Sequence, residues 1–326
     1  MLLRKPKEVL QIKSFLKQAV LGFAIGDAVG IPYEFKKRDT FRCMDMRESR
    51  WNDAHFILPL GAWSDDTSLM LCVLDALSKE IAADKVYKRW RKNAIAWAYL
   101  GKFTNHIYLI PYDIGISCRR GINCMIFHKE NRKANDIRSN GNGGLMRMLP
   151  LAFLEYKNDE ERLNAIQLFN CCSHNHIISH IGCLIYVKLL EQLCKGKRQL
   201  FPNVLHNVVK SISETYKITE YMRIWNFSIL DCSREEIKSS GYVVDTLEAA
   251  IWCVAQSQNF EDAILKAVNL GDDTDTVAAV CGSMAGIMFK EIPEKWVKSL
   301  RKRKLVEKVV SRFNTAKEER TTICFI

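Results

Sequence analysis

Two short acidic runs carry the chemistry open to this chain: Ser64-Asp65-Asp66-Thr67 and Asp272-Asp273-Thr274-Asp275-Thr276. Each opens an apolar segment, and the two lie toward opposite ends of the polypeptide. One carboxylate at a helix start caps orphan amides and complements the helix dipole. Three carboxylates in five residues cannot all cap one helix, and like charges held so close repel. Carboxylates grouped with hydroxyls suit a hard, oxygen-binding cation such as Mg2+ or Mn2+. Taken singly, Asp65 and Asp273 would be ordinary helix caps. Their repetition with partners makes the runs read as halves of one metal site, with the hydroxyls of Ser64 and Thr276 as further ligands.

Other metal and phosphate chemistries fit less well. Counting from Asp272, an EF-hand loop would need Gly where Val277 stands and Glu where Ser283 stands. Residues 141–147 lack the Gly-Lys-Ser/Thr ending of a phosphate-binding P-loop. Zinc takes residue types present at Cys171, Cys172, His174, His176 and His180. His176 and His180 would share a helix face at i, i+4, yet no distant Cys or His pair completes a zinc set.

The elements that position these residues read as helices. Ile12, Phe15, Leu16, Ala19, Val20 and Phe23 mark one helix face, and Leu69, Val73, Leu77 and Ile81 another. Val243, Leu247, Ala250, Ile251 and Val254 form a third, and Val277, Val280, Cys281, Met284 and Met288 a fourth. Pro293 can open a further helix at its first turn, with Trp296, Val297 and Leu300 on its face. Period-two alternation is scarce, so the fold class expected is all-α. Residues 139–144, rich in Gly and Asn, must form a loop. Residues 195–241 are polar and weakly patterned in parts, the expected place for family-specific variation. Because the acidic runs should meet in space, one domain over residues 1–326 is expected. In the lead-in to Glu34, Asp27 reads as a cap or a buried hydrogen-bond acceptor. Arg147 reads as a phosphate contact or a partner for a nearby carboxylate. The seven tryptophans read as core, although Trp63 could border the cleft.

Composition narrows the function classes. With 326 residues, 48% hydrophobic and 26% charged, the chain can build a large core and is not disordered. No apolar stretch reads as long as a membrane span, and the N-terminus lacks a signal-peptide core. The 12 cysteines are scattered, and Cys72, Cys183, Cys253 and Cys281 read as small core residues. This usage suits a reducing compartment, so a cytoplasmic location is expected unless the protein is delivered elsewhere by a route that leaves no mark. A net charge of +11 could steer anionic ligands. Part of it, over residues 298–308, reads as the solvated face of one amphipathic helix. No zinc-finger spacing or RNA-binding signature is present, so no specific nucleic-acid partner is expected.

Five segments, in order, resemble the ADP-ribosylglycohydrolases of the type that reactivates dinitrogenase reductase. They are Gly22-Phe-Ala-Ile-Gly-Asp-Ala-Val-Gly-Ile-Pro-Tyr-Glu34, Ser64-Asp-Asp-Thr67, Asn140-Gly-Asn-Gly-Gly-Leu-Met-Arg147, Ser173-His174, and Gly271-Asp-Asp-Thr-Asp-Thr276. The resemblance runs from about Val20 to about Leu300, with the family core expected over about 10–313. It implies a compact all-α domain with two divalent cations, Mg2+ or Mn2+, in a central cleft. Ser64, Asp65 and Asp66 would supply half of that centre, and Asp273, Asp275 and Thr276 the other half. Glu34 would lie over the metals near the scissile bond. Gly141, Asn142, Gly143 and Gly144 would bring backbone amides to the diphosphate and ribose, and His174 would line the ADP-ribose cleft. Asp113, in Tyr112-Asp113-Ile114-Gly115, resembles the aspartate that faces the target guanidinium in arginine-specific members.

The implied activity is hydrolysis of the bond between ADP-ribose and a protein side chain, with arginine the first expectation. Its partners would be an ADP-ribosylated protein as substrate and ADP-ribose as product, and a monomer is expected. Asp66 or Glu34 would act as general base, and turnover would depend on Asp273. The alternatives are a non-catalytic binder of ADP-ribose or of a transferase, or a hydrolase for ADP-ribosyl-serine or O-acetyl-ADP-ribose. Two departures from the pattern stand out. Ser64 replaces the usual Thr and keeps its hydroxyl, while Asp272 replaces a usual Gly, where a side chain could crowd the turn.

Overall fold

Five glycines decide how two helices of the core meet. In the computed structural model, residues 6–50, 57–80, 82–105, 111, 113–127, 129–195 and 200–318 are described, those at 6–10, 12, 49, 50, 317 and 318 by backbone alone. The side chains of Ile12 and Ile81, together with Tyr112 and the basic residues 197–198, fall outside this set. Thirteen α-helices follow in order among the described residues. They are α1 (Pro6–Gly30), α2 (Asp65–Lys79), α3 (Ala83–Leu100), α4 (Ile116–Ile126), α5 (Asp159–Asn170), α6 (Ile177–Leu193), α7 (Phe201–Ser211), α8 (Met222–Trp225), α9 (Val243–Ala255), α10 (Phe260–Val268), α11 (Thr274–Phe289), α12 (Glu294–Ser299) and α13 (Arg303–Glu318). The strands among the described residues are β1 (Ser49–Arg50) and β2 (Ile57–Leu58), an antiparallel pair with Ser49 opposite Leu58. The fold is all-α, as the periodicities predict.

Helix α1 runs antiparallel to α11 along a seam of small residues. An ideal Cβ on Gly22 would fall 2.1 Å from Gly282 O, one on Gly26 2.0 Å from Ala278 O, and one on Gly30 2.5 Å from Thr274 O. Gly282 and Gly286 return the constraint, facing Gly22 O and Gln18 O at 2.2 and 2.5 Å. Backbones this close admit no side chain, and the close approach maximises dispersion contact. The seam puts the C-terminal end of α1 beside the N-terminal end of α11, where Thr274 Oγ1 donates to Gly30 O at 2.9 Å.

Helices α2, α6, α9 and α10 pack around that pair. Buried Val86, Trp90, Ala94 and Trp97 give α3 an inward stripe at helical spacing. Cys72, Cys183, Cys253 and Cys281 are fully buried, as expected for small core residues. Tyr186 on α6 and Ser283 on α11 share a 2.7 Å hydrogen bond inside the core. Buried Asp75 on α2 takes Arg89 of α3 at 3.2 Å and Arg312 of α13 at 3.7 Å, joining three helices.

Three local expectations are corrected. The window 13–33, most of it α1, is long and apolar enough to cross a membrane by length and composition, contrary to the sequence reading, but most of it is buried inside the protein. Residues 298–308 do not form one helix. The chain turns between α12 and α13, where Leu300 is buried and Lys302 takes a left-handed φ of 44°. Pro293 occupies the cap position before α12 and not its first turn.

Candidate active site

Glu34 reaches the centre because its loop is clamped to the second acidic run. After α1 the chain makes a 3-10 turn (Ile31–Tyr33). Phe35 N then donates to Asp272 O at 2.7 Å, and Asp272 N donates to Lys36 O at 2.9 Å. Both Phe35 and Asp272 adopt left-handed backbone, with φ of 62° and 58°. Tyr33 below them stacks on Phe41, ring centroids 4.7 Å apart, with Arg47 over its ring. The clamp holds Glu34 at the first turn of α11. There Glu34, Asp113 and Asp275 each offer a carboxylate oxygen, all within 4.8 Å of one another.

The first run is fixed from α1 by Asp27. Its carboxylate accepts from Ser64 N at 2.8 Å, Thr67 N at 3.0 Å and Thr67 Oγ1 at 2.6 Å, so an acid from a neighbouring helix caps α2. This buried-acceptor role matches the sequence reading. Ser64 is the N-cap residue, and its Oγ accepts from Asp66 N at 3.2 Å. With the amides satisfied this way, Asp65 and Asp66 need not serve as caps. Asp65 Oδ2 accepts from Gly115 N at 3.3 Å, and Asp66 Oδ1 accepts from Thr276 Oγ1 at 3.4 Å. The two runs therefore meet.

Asp273 stands at the N-cap position of α11 without a side-chain capping bond. Its Oδ2 instead accepts from Asn142 Nδ2 at 3.0 Å, and its backbone N donates to Ser239 O. Asp66, Asp275 and Thr276 form a buried floor, while Glu34, Asp113 and Asp273 form a partly exposed rim. Asp272 is exposed.

Burial and mutual repulsion push these acids upward. Asp65 rises to about 6, first through burial and then through the charge of Asp273. Asp66 and Asp275 lie well above the usual carboxylate range, through burial and then neighbouring carboxylates. Asp113 is raised well above the usual range in the same way, by burial and then by the charges of Asp65 and Glu34. Asp66 Oδ2 and Asp275 Oδ1 are buried without a hydrogen-bond partner. An unpaired buried carboxylate oxygen is costly, and clustered ones are costlier. A hard cation satisfies both demands, and the all-oxygen donor set fits one.

Beside Asp273, the loop at 140–144 joins the segment ahead of α9. Asn142 N donates to Gly241 O and Val243 N to Asn140 O, both at 2.9 Å. The Asn142 amide, predicted to approach a diphosphate, is thus committed to Gly241. Its side chain braces Asp273 and Thr246 instead. Gly143 and Gly144 leave room for neighbours. A Cβ on Gly143 would fall 2.8 Å from His174 Cε1, and one on Gly144 2.8 Å from Ser179 Oγ.

Arg147 is buried and donates to Asn170 Oδ1 at 3.1 Å and Ser173 Oγ at 2.6 Å, neutral partners among the described residues. Ser173 Oγ lies 2.8 Å from His174 Nδ1. The guanidinium can only donate, so Ser173 Oγ accepts from it and links Arg147 to the imidazole. Burial and then Arg147 hold His174 neutral, with Nε2 toward Gly141 and Gly143.

The zinc alternative dissolves on inspection of the same segment. His176 is the N-cap of α6, accepting from Ile178 N, and so precedes the helix it was expected to share with His180. Trp63 is buried in the core and does not border an open cleft.

Sequence reasoning missed what four residues do in the site. Asp113 was expected at the leaving group, with nothing local to place it among the metal-site carboxylates. Asn142 is expected to bring its backbone amide to the diphosphate, and its side chain instead braces Asp273. Ser239 and Gly241 lie at the end of a segment read as variable, although a Ser-Ser-Gly-Tyr turn before an apolar helix was a signal at hand.

Fold and site together define a class: an all-helical protein whose helices α1, α2 and α11 converge on a carboxylate cluster suited to a hard cation. The ADP-ribosylglycohydrolase family profile matches residues 10–322, and the chain belongs to that family. It is similar to the ADP-ribosylarginine hydrolase Tri1 of Pseudomonas putida (strain GB-1), 33% identical over 298 residues, covering 87% of this chain and 73% of that protein. The Tri1 protein of Serratia proteamaculans (strain 568) is 31% identical over 291 residues, covering 87% and 74%. A solved ADP-ribosylglycohydrolase-related protein complex is similar in structure, with a TM-score of 0.71 at 25% identity over 94% of this chain and 99% of that one.

Proposed function

We propose that the protein hydrolyses the N-glycosidic bond joining ADP-ribose to an arginine side chain of a modified protein. The observation that carries this is the pair of partnerless buried oxygens, Asp66 Oδ2 and Asp275 Oδ1, beneath a rim of Glu34, Asp113 and Asp273. Family membership and the similarity to ADP-ribosylarginine hydrolases supply the substrate class. We assign two cations, Mg2+ or Mn2+, to Ser64, Asp65, Asp66, Asp273, Asp275 and Thr276, with Glu34 and Asp113 at the rim. Bound there, divalent ions lower the pKa of water and polarise ribose hydroxyls.

The chain's own groups do the rest. Glu34 or Asp66 takes the proton of the water that attacks the anomeric carbon. The C–N bond opens as the guanidine departs, and a rim carboxylate balances the developing oxocarbenium charge. Half-exposed Asp113 can offer the guanidine two charge-assisted contacts. His174 Nε2 faces Gly141 and Gly143, where it can hydrogen-bond the diphosphate or ribose. The eleven described cysteines are free thiols, and the cytoplasm is the compartment we propose.

The test is release of ADP-ribose from defined arginine, serine and O-acetyl conjugates, with Mg2+, Mn2+ or chelator. Cation-dependent release from arginine above the others is expected. Binding of ADP-ribose without release from any conjugate would identify a non-catalytic member instead.

A further inference from the structure

The outer face of α4 carries apolar and basic side chains that nothing in the described protein covers. Ile116 is 78% exposed and Phe127 68%. Between them Arg119, Arg120 and Asn123 complete one stripe at helical spacing. With Lys129 they line a shallow groove of about 420 Å3. Other surface cations hold carboxylates, as Lys88 does Asp84 and Arg138 does Asp136. Arg119, Arg120 and Lys129 form no ion pair among the described residues; Glu130 follows Lys129 in sequence. The groove lies along α4, the helix that begins at the active site. Helix α4 begins one residue after Gly115, whose N–H binds Asp65, and three after Asp113. At 1.5 Å per residue the stripe then runs about 16 Å away from the rim.

We infer that this face receives the polypeptide of the modified substrate: a segment with carboxylates for Arg119, Arg120 and Lys129 and an apolar side chain between Ile116 and Phe127. The inference rests on the hydrolase reading and names the partner of that site. Charge complementarity selects an acidic segment, and the exposed apolar ends select one with a hydrophobic anchor. A nucleic acid would satisfy the arginines and leave Ile116 and Phe127 exposed.

Three probes test it: free ADP-ribosylarginine, an ADP-ribosylarginine peptide with a Glu-Glu-Leu flank, and the same peptide with a Lys-Lys-Ser flank. Wild type is expected to favour the acidic peptide about tenfold in kcat/KM, through KM, with the gap shrinking as salt rises. The double variants Arg119→Glu/Arg120→Glu and Ile116→Ser/Phe127→Ser should lose the preference and still turn over free ADP-ribosylarginine like wild type. Equal use of both peptides by wild type, or an undiminished preference in both variants, overturns the inference. So does DNA retention, or a dimer, that the arginine reversals abolish. If no probe releases ADP-ribose, the hydrolase reading fails by itself. Anisotropy of fluorescent peptides then decides the docking face, which stands only if the arginine reversals weaken binding of the acidic one.

Discussion

Thr276 Oγ1 donates to Asp66 Oδ1 across 3.4 Å, joining the first turns of α2 and α11 from residues 210 positions apart. This contact leaves Asp66 Oδ2 unpartnered, and Asp275 Oδ1 is in the same state. Without a cation the cluster is therefore destabilising. Asp66→Asn and Asp275→Asn should each raise the melting temperature of chelator-treated protein. The same variants should lose the melting shift that Mn2+ gives wild type, and turnover should fall at least about a hundredfold. A lower apo melting temperature with an intact Mn2+ shift would remove the cation assignment.

The pH response has a defined sign. Burial, outweighing hydrogen bonds from Thr67 and Ser64, pushes Asp27 up to about 7, and Asp65 is pushed to about 6. Both ionise near 4 when unfolded. The folded state thus binds more protons across that interval, so this contribution to stability falls as pH rises from about 4 to about 7. The stabilisation by Mn2+ should be larger at about pH 8 than at about pH 5.5, as carboxylates ionise to receive it. Melting curves at both pH values with and without Mn2+ measure this, and an equal shift at both contradicts it.

The glycine seam sets a steric test. A methyl group on Gly26 would strike Ala278 O, whereas one on Gly115 meets nothing nearer than Asp65 Oδ2 at 4.0 Å. Gly26→Ala should cost about 3 kcal/mol or prevent folding. Gly115→Ala should change stability by less than about 1 kcal/mol. Urea denaturation followed by circular dichroism compares them, and equal losses would mean the helices separate readily.

Asp272 occupies a left-handed position that strains any residue with a Cβ. Its side chain is exposed. Asp272→Gly should therefore stabilise the protein by up to about 1 kcal/mol and leave Mn2+ affinity unchanged. A marked drop in that affinity, read by isothermal calorimetry, would show that Asp272 belongs to the cation site.

Much of the site was legible because its residues break local rules. Asp65-Asp66 and Asp273-Asp275 exceed what a helix start can use, and that excess pointed to a cation before any coordinates. The helix faces were legible for the opposite reason, since Leu69 to Leu77 or Val243 to Val254 follow one period. Long-range satisfaction was not legible. Asp27 is one acid in an apolar helix, and only the folded chain shows the amides of Ser64 and Thr67 beneath it. Arg147 offered the same difficulty, because neutral Asn170 and Ser173 satisfy it as well as an anion would. Length and hydropathy misjudged α1, whose apolar surface faces α11 and the surrounding helices.

The pairing of α1 with α11 also governs assembly. Asp27 and Glu34 are made early, yet the backbone they dock against arrives only with residues 272–289. A growing polypeptide cut short before that point would lack the partner of its first long helix and expose an apolar surface. The carboxylate cluster is therefore complete only once residues 272–276 have been made.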